Sequence, residues 1–290
     1  MKRIALLLFV TAFMLISCGK EDTTASADTD ASSENTTYAE EITEAPAEHY
    51  ASPPAYDGFH EKLIAHAGGA AYGYRLTNSL EALENSYELG FRIFELDFER
   101  TSDGKYVLLH DWDSMAGRML FEKRVFSLDE FKNANTFASL TLLDLDDLLE
   151  WLSVHEDCFI ITDAKCGNEL FLSELYGIAE ALSDRFIPQA YSYEEYRKAK
   201  EIGFKNVLLT LYQMNDTEEA LVSFAESEKP WAVTIPETVL TRSLVSSLAK
   251  AGIYTYAHTV NDLSFYEEWQ AFGLYGIYTD YFCPIKWPYQ

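Results

Sequence analysis

Basic residues are scarce in this chain. It carries 22 lysines and arginines against 47 aspartates and glutamates, a formal net charge of −25. That deficit excludes nucleic acid as a partner, because no basic patch offsets the acid, and it disfavours purely electrostatic binding to anionic lipid. Cysteine is scarce too. Cys18, Cys158, Cys166 and Cys283 stand apart, with no C-x-x-C pair. A cysteine zinc site and a disulfide-dense scaffold are therefore excluded. A strand running between Cys158 and Cys166 disfavours a bridge there. Long apolar runs are missing as well. The run from Ile4 to Ile16 covers thirteen residues, too short to cross a bilayer comfortably.

Lys2 and Arg3 precede that run, and Leu15-Ile16-Ser17-Cys18 ends it. The arrangement resembles the signal and lipobox of bacterial lipoproteins. The resemblance implies a lipoprotein signal peptide over residues 1–18, cleavage before Cys18 and lipidation of its thiol. The protein is then expected outside the cytoplasm, lipid-anchored to the cell membrane. Residues 19–57 are dominated by Ser, Thr, Ala, Glu and Asp, and Pro53-Pro54 stands near their end. Such a segment buries too little apolar surface to fold and reads as a disordered acidic linker. Residues 58–290 are left as a single folded domain. The chain is 48% hydrophobic, ample for its core.

In that domain short apolar runs alternate with amphipathic helical patterns. The runs are Leu63–Ala67, Arg92–Phe98, Tyr106–His110, Cys158–Asp163, Phe186–Tyr191, Asn206–Leu211, Trp231–Pro236, Ile253–Thr259 and Gly276–Asp280. Asn78 stands as a helix cap with Glu81 three residues on, and Gly90 stops that helix. Repeated βα units predict the α/β class and a TIM-type (β/α)8 barrel. Nine runs are one too many for eight staves. The awkward join is Arg100–Lys105, too short for a helical crossover, so either that crossover is irregular or one late run lies outside the barrel. Residues 111–142 offer no clean strand and are expected as an insertion over the barrel mouth.

Strand alternation sorts the side chains. Glu95 and Asp97 share a face with Ile93, while Phe94, Leu96 and Phe98 share the other. The apolar face suits packing against helices, so the carboxylates point into the barrel. There they need a partner or a cation. His66, His110, Asp163 and Lys165 also stand at strand ends, where barrels of this type carry their chemistry. His258 shares a face with Tyr254 and Tyr256 and either lines the mouth or is a satisfied structural histidine. Asp280 ends the last run and is placed to orient a neighbour. Trp112, Tyr191 and Tyr212 follow strands and suit either stacking on a ligand or packing. His60 and His155 show no sequence partner and read as surface residues.

Taken in order, His66-Ala67-Gly68, Thr77-Asn78-Ser79, Glu95-Leu96-Asp97, Thr101–Gly104, His110-Asp111, Asp163-Ala164-Lys165, Thr259-Val260-Asn261 and Gly276–Asp280 resemble the motifs of the glycerophosphodiester phosphodiesterase family. The resemblance covers nearly all of residues 63–284. It implies a βα-barrel, one divalent cation (Ca2+ or Mg2+), and two histidines acting as acid and base. Carried over, His66 and His110 are the catalytic pair, and Glu95, Asp97 and Asp163 are the metal ligands. Lys165, Arg75 and His258 fall to substrate binding. The chain also departs from the pattern. Asp163 replaces a glutamate, Ala67 an arginine that holds phosphate, Thr77 a glutamate and His258 a tryptophan. Arg75, in the same loop as Ala67, is a candidate for the missing charge. The expected activity is metal-dependent hydrolysis of a small or lipid-derived phosphodiester. Two alternatives stay open: a lyase that forms a cyclic phosphate, and a non-catalytic binder of phosphorylated head groups or glycans.

Overall fold

Each of the nine runs becomes a strand in the computed structural model, which describes residues 51–289. They are β1 (Leu63–Ala65), β2 (Ile93–Arg100), β3 (Tyr106–Leu108), β4 (Phe159–Ala164), β5 (Phe186–Ala190), β6 (Leu208–Thr210), β7 (Ala232–Pro236), β8 (Thr255–His258) and β9 (Gly276–Thr279). The lateral order is β1-β9-β8-β7-β6-β5-β4-β2-β3, and Ala65 of β1 also pairs with Phe94 of β2. That pairing closes eight parallel staves into a (β/α)8 barrel.

β3 is the ninth strand, and it runs antiparallel to β2, with Phe98 opposite Leu108 and Arg100 opposite Tyr106. The short Arg100–Lys105 join is therefore a hairpin turn, not a crossover. Its geometry is fixed by Thr101, whose backbone N–H donates to the Lys105 carbonyl at 2.8 Å and whose Oγ1 accepts from Lys105 N at 2.8 Å. Gly104 supplies the left-handed residue at φ +80°.

The helices are α1 (Leu80–Glu88), α2 (Ser114–Met119), α3 (Leu128–Lys132), α4 (Leu145–Val154), α5 (Asn168–Ala179), α6 (Tyr193–Ile202), α7 (Glu218–Glu228), α8 (Arg242–Lys250) and α9 (Leu263–Gln270). Short polar side chains start most of them. Ser192, Thr217 and Thr241 accept from the third N–H of α6, α7 and α8, and Asp144 and Asp147 form a reciprocal capping box on α4. Each such cap contributes about 1 kcal/mol. α1 is capped by Ser79, not by the expected Asn78.

Period-two burial separates two cores. Ile64, Ile93, Ile161, Ile187, Leu208, Ala232, Tyr256 and Tyr278 fill the barrel interior. Phe94, Leu96, Phe98, Ile160, Leu209, Val233 and Ile235 face the helices. The carboxylates of β2 share the parity of Ile93, so they enter the interior above this apolar floor.

Two expectations change. Residues 111–142 do not cover the mouth. Met115, Met119, Phe126, Phe131 and Leu140 build a separate core against Ala82, Val107 and Leu109, beside the hairpin. The apolar side chains of the insertion have that flank to bury against. Trp112 packs there too, stacked on Phe126 at 6.0 Å with Nε1 donating to the Arg100 carbonyl. Residues 51–57, assigned by composition to the linker, lie against the barrel's closed end. Ala51 is buried and the Ala55 carbonyl accepts from Tyr254 OH at 2.9 Å. The rest of the linker, the signal segment and Cys18 fall outside the described residues.

The two histidines read as surface residues are also corrected. His60 is buried, its ring stacked between Tyr254 at 3.6 Å and Trp231 at 4.6 Å. His155 stacks on Trp151 at 4.0 Å. Trp151 lies one helical turn before His155, a spacing the sequence does show, whereas the partners of His60 stand just before β7 and β8, far along the chain. Cys158, Cys166 and Cys283 are free thiols.

Candidate active site

At the C-terminal ends of the staves lies a cleft of about 900 Å³. His66, Asp97, His110, Asp163, Lys165 and His258 all line it, with Gln189, Tyr191, Tyr212 and Glu237. Glu95 sits beneath, 3% exposed. The barrel thus brings these side chains together from segments nearly two hundred residues apart. None of residues 112–142 lines the cleft.

β1 ends in a tight turn that aims His66 inward. Ala67 takes the left-handed φ of 48°, and its N–H donates to Glu95 Oε2 at 2.9 Å. That backbone contact is what residue 67 provides, since its methyl brings no charge. Thr77, at the other departure, is fully buried and bonds Ser79 Oγ at 3.1 Å, away from the cleft.

His66 Nδ1 donates to Asp280 Oδ1 at 2.8 Å, and its Nε2 lies 3.9 Å from Glu95 Oε2. Burial disfavours charge on this ring. The Asp280 bond and the carboxylates of Glu95 and Asp97 outweigh it and push His66 up to about 9. Asp280 is further held by Asn261 Nδ2 at 2.7 Å, and Arg75 Nη1 stands 3.8 Å from its other oxygen. Arg75 is thereby brought to the rim beside His66, though half exposed.

His110 reaches the cleft because β3 runs backwards. The hairpin rises beyond the mouth on β2 and returns, and Leu109 N donates to the Asp97 carbonyl at 3.1 Å. Nδ1 of His110 donates to Asp111 Oδ2 at 2.8 Å.

Glu95, Asp97 and Asp163 converge, each with a carboxylate oxygen within 4.8 Å of the others. Oxygens held about 2.4 Å from one calcium ion lie no more than about 4.8 Å apart. Glu95 Oε1 is buried and has no hydrogen-bond partner among the described residues. Burial, then the neighbouring Asp97, pushes the Glu95 carboxyl up to about 8. An orphaned buried oxygen facing two further carboxylates is a donor set that suits a hard divalent cation. Asp163, one methylene shorter than glutamate, still reaches this point. Lys165 Nζ bridges Asp97 at 3.0 Å and Asp163 at 2.8 Å. Those two partners outweigh burial and hold its ammonium charged well beyond the usual lysine range.

Some residues named in the sequence without a site role support the site. Asn78, at φ 47°, donates to Asp97 Oδ2 at 2.9 Å and accepts from Asp97 N at 3.0 Å. Tyr191 donates its hydroxyl to Asp163. Asp111 stands next to His110 in the His110-Asp111 motif, and that adjacency points to it. Asn78 mimics a helix cap, and nothing local marks its bond nineteen residues away.

A family model described as the glycerophosphoryl diester phosphodiesterase family matches residues 66–282. YhdW of Bacillus subtilis (strain 168), named as a candidate glycerophosphodiester phosphodiesterase, is 26% identical over 239 residues, covering 76% of this chain and 94% of the relative. A glycerophosphodiester phosphodiesterase structure from Thermotoga maritima superposes with a TM-score of 0.62 at 23% identity, covering 76% of this chain and 95% of that one. An Oleispira antarctica phosphodiesterase, solved with the product sn-glycerol-3-phosphate, gives a TM-score of 0.64 at 20% identity over 77% of this chain and 94% of that one. With its family model matching residues 66–282, well over half of the chain, the chain belongs to the glycerophosphoryl diester phosphodiesterase family.

Proposed function

We propose that this protein is a metal-dependent hydrolase of glycerophosphodiesters. The observation that carries the reading is one cleft holding two aspartate-bound histidines beside three converging carboxylates. Glu95, Asp97 and Asp163 would hold one divalent cation, which when bound offsets charge on a phosphoryl oxygen. Lys165 and Arg75 add positive charge for the phosphate anion, Arg75 from the loop that carries Ala67. A carboxylate only accepts, so each histidine keeps a proton on Nδ1 and turns Nε2 to the cleft. One Nε2 takes a proton from the attacking water as its oxygen bonds to phosphorus, and the other gives a proton to the leaving alkoxide as the P–O bond to it breaks.

The family membership and the product bound in the Oleispira antarctica enzyme support glycerophosphodiesters as the substrate class. The signal-like start and Cys18 support an extracytoplasmic, lipid-anchored location. Incorporation of a palmitate analogue into wild type but not into Cys18→Ser is the expected result; label on Cys18→Ser overturns the anchor.

The activity test uses the purified protein with glycerophosphocholine, followed by phosphorus NMR. Glycerol phosphate is expected with calcium or magnesium, and none in excess EDTA. A persistent cyclic phosphate would assign the lyase instead. No turnover with any divalent metal would overturn catalysis.

A further inference from the structure

Of the three converging carboxylates, two carry a neutral donor from the turn that follows β1. Glu95 Oε2 accepts from the Ala67 backbone N–H at 2.9 Å, and Asp97 Oδ2 from Asn78 Nδ2 at 2.9 Å. Asp163 has no backbone or amide donor among the described residues; its donors are an ammonium and a phenol. It is also the most open of the three. Its side chain is 18% exposed, against 4% for Glu95 and 2% for Asp97. An aspartate turns about two side-chain bonds, so an open one needs a hold to keep a single direction.

Lys165 Nζ holds Oδ2 at 2.8 Å, and the Tyr191 hydroxyl holds Oδ1. The two holds respond differently to a divalent cation. Lys165 bridges Asp163 and Asp97, the carboxylates such a cation would share, and like charges repel. The phenol is neutral and keeps its bond. Its direction is also set. Gln189 Nε2 donates to the Tyr191 oxygen at 3.2 Å, which leaves the single phenolic proton for Asp163. The base of the ring is pinned as well. Tyr191 follows β5 directly, and its backbone N–H donates to Glu195 Oε2 of α6 at 3.0 Å. Asn168 Nδ2, at the start of α5, reaches the same oxygen at 2.8 Å and the Gln189 carbonyl at 3.0 Å.

We propose that Tyr191 is a positioning residue for the cation, its hydroxyl holding the Asp163 carboxylate toward Glu95 and Asp97 when Lys165 lets go. This rests on the metal-dependent reading. It gives Tyr191 a task other than stacking on a ligand or packing, and it supplies the open carboxylate with the neutral donor that the two buried ones take from residues 67 and 78.

The test is isothermal titration calorimetry of the full chain with calcium chloride and with magnesium chloride, in the absence of substrate. Tyr191→Phe removes one oxygen and keeps the ring. It should weaken calcium about tenfold. Magnesium should suffer more, because it demands near-octahedral geometry and tolerates a loose ligand less well than calcium. The same change is then made on Asp163→Ala, where no carboxylate is left to orient. There it should alter calcium affinity by no more than about twofold. A further tenfold loss in that background would mean that the hydroxyl supports the cleft at large, and it overturns the proposal. Equal calcium affinity in wild type and Tyr191→Phe overturns it too, with the metal reading intact. If wild type binds neither cation, the metal reading fails and the role of Tyr191 falls with it.

Discussion

His66 and His110 are gripped alike, each by an aspartate 2.8 Å from Nδ1. Asp280→Asn leaves the shape but can offer Nδ2–H to the ring, favouring the wrong tautomer. We expect kcat to fall about 10²- to 10⁴-fold, with an unchanged far-UV circular dichroism spectrum. A fall below threefold would remove Asp280 from the machinery. Lys165 gives a different signature. It is the cation bridging Asp97 and Asp163, with its side chain 26% exposed. Removing it in Lys165→Ala should cost about 1–3 kcal/mol in EDTA, less than a fully buried pair because water reaches it. Calcium should restore much of that loss in a urea titration, since a cation would relieve the same repulsion. Loss unaffected by calcium would argue against a metal at this point. The carboxylates were legible in the sequence because period two forces Glu95 and Asp97 to one face. Asn78 was not, because a left-handed residue with a long-range amide bond imitates a local cap.

The β2–β3 hairpin is the element that sequence pattern misread in part. Alternation along Tyr106–His110 marks a strand but carries no direction, and an antiparallel strand shows the same period as a parallel one. The clue lay in the join. Five residues, Thr101–Lys105, with Gly104 near the end, suit a turn and nothing longer. The consequence is mechanical, because His110 hangs two residues beyond β3 and depends on the hairpin for its place. Gly104 holds φ +80°, where a Cβ is strained. Gly104→Ala should cost about 1–2 kcal/mol. The calorimetric Tm should drop by several degrees. Activity should decline at temperatures below that transition, as the hairpin loosens before the barrel. Coincident loss of activity and fold would place the hairpin within the barrel's own cooperative unit.

At the scale of the molecule, the barrel has two unlike ends. The mouth gathers Glu95, Asp97, Asp163 and the histidines, and the closed end is an aromatic plug of Trp231, Tyr254, Tyr256 and Tyr275 around His60. Residues 51–57 enter at that plug, so the mouth faces away from residue 51. The parallel closure was legible from eight repeats of strand and helix. The plug was not, because it joins His60 to side chains from β7 through β9. Asp57 ties the entering segment to it. Its Oδ1 accepts from the backbone N–H of Phe59 and of His60 at 2.9 Å, and its Oδ2 from His60 Nδ1 at 2.8 Å. Slight burial works against the charge, but those bonds outweigh it and lower the carboxyl to about 2. A depressed carboxylate stabilises the fold above its unfolded value of 3.8, and the contribution is lost as pH falls toward about 2. Asp57 is part-exposed, so the contribution is about 1 kcal/mol. Urea titrations at pH 6 should show Asp57→Asn less stable than wild type by about that amount. The gap should narrow below pH 4 and close near pH 2. A gap that stays constant across this range would mean that the charge of Asp57 contributes nothing to holding the closed end.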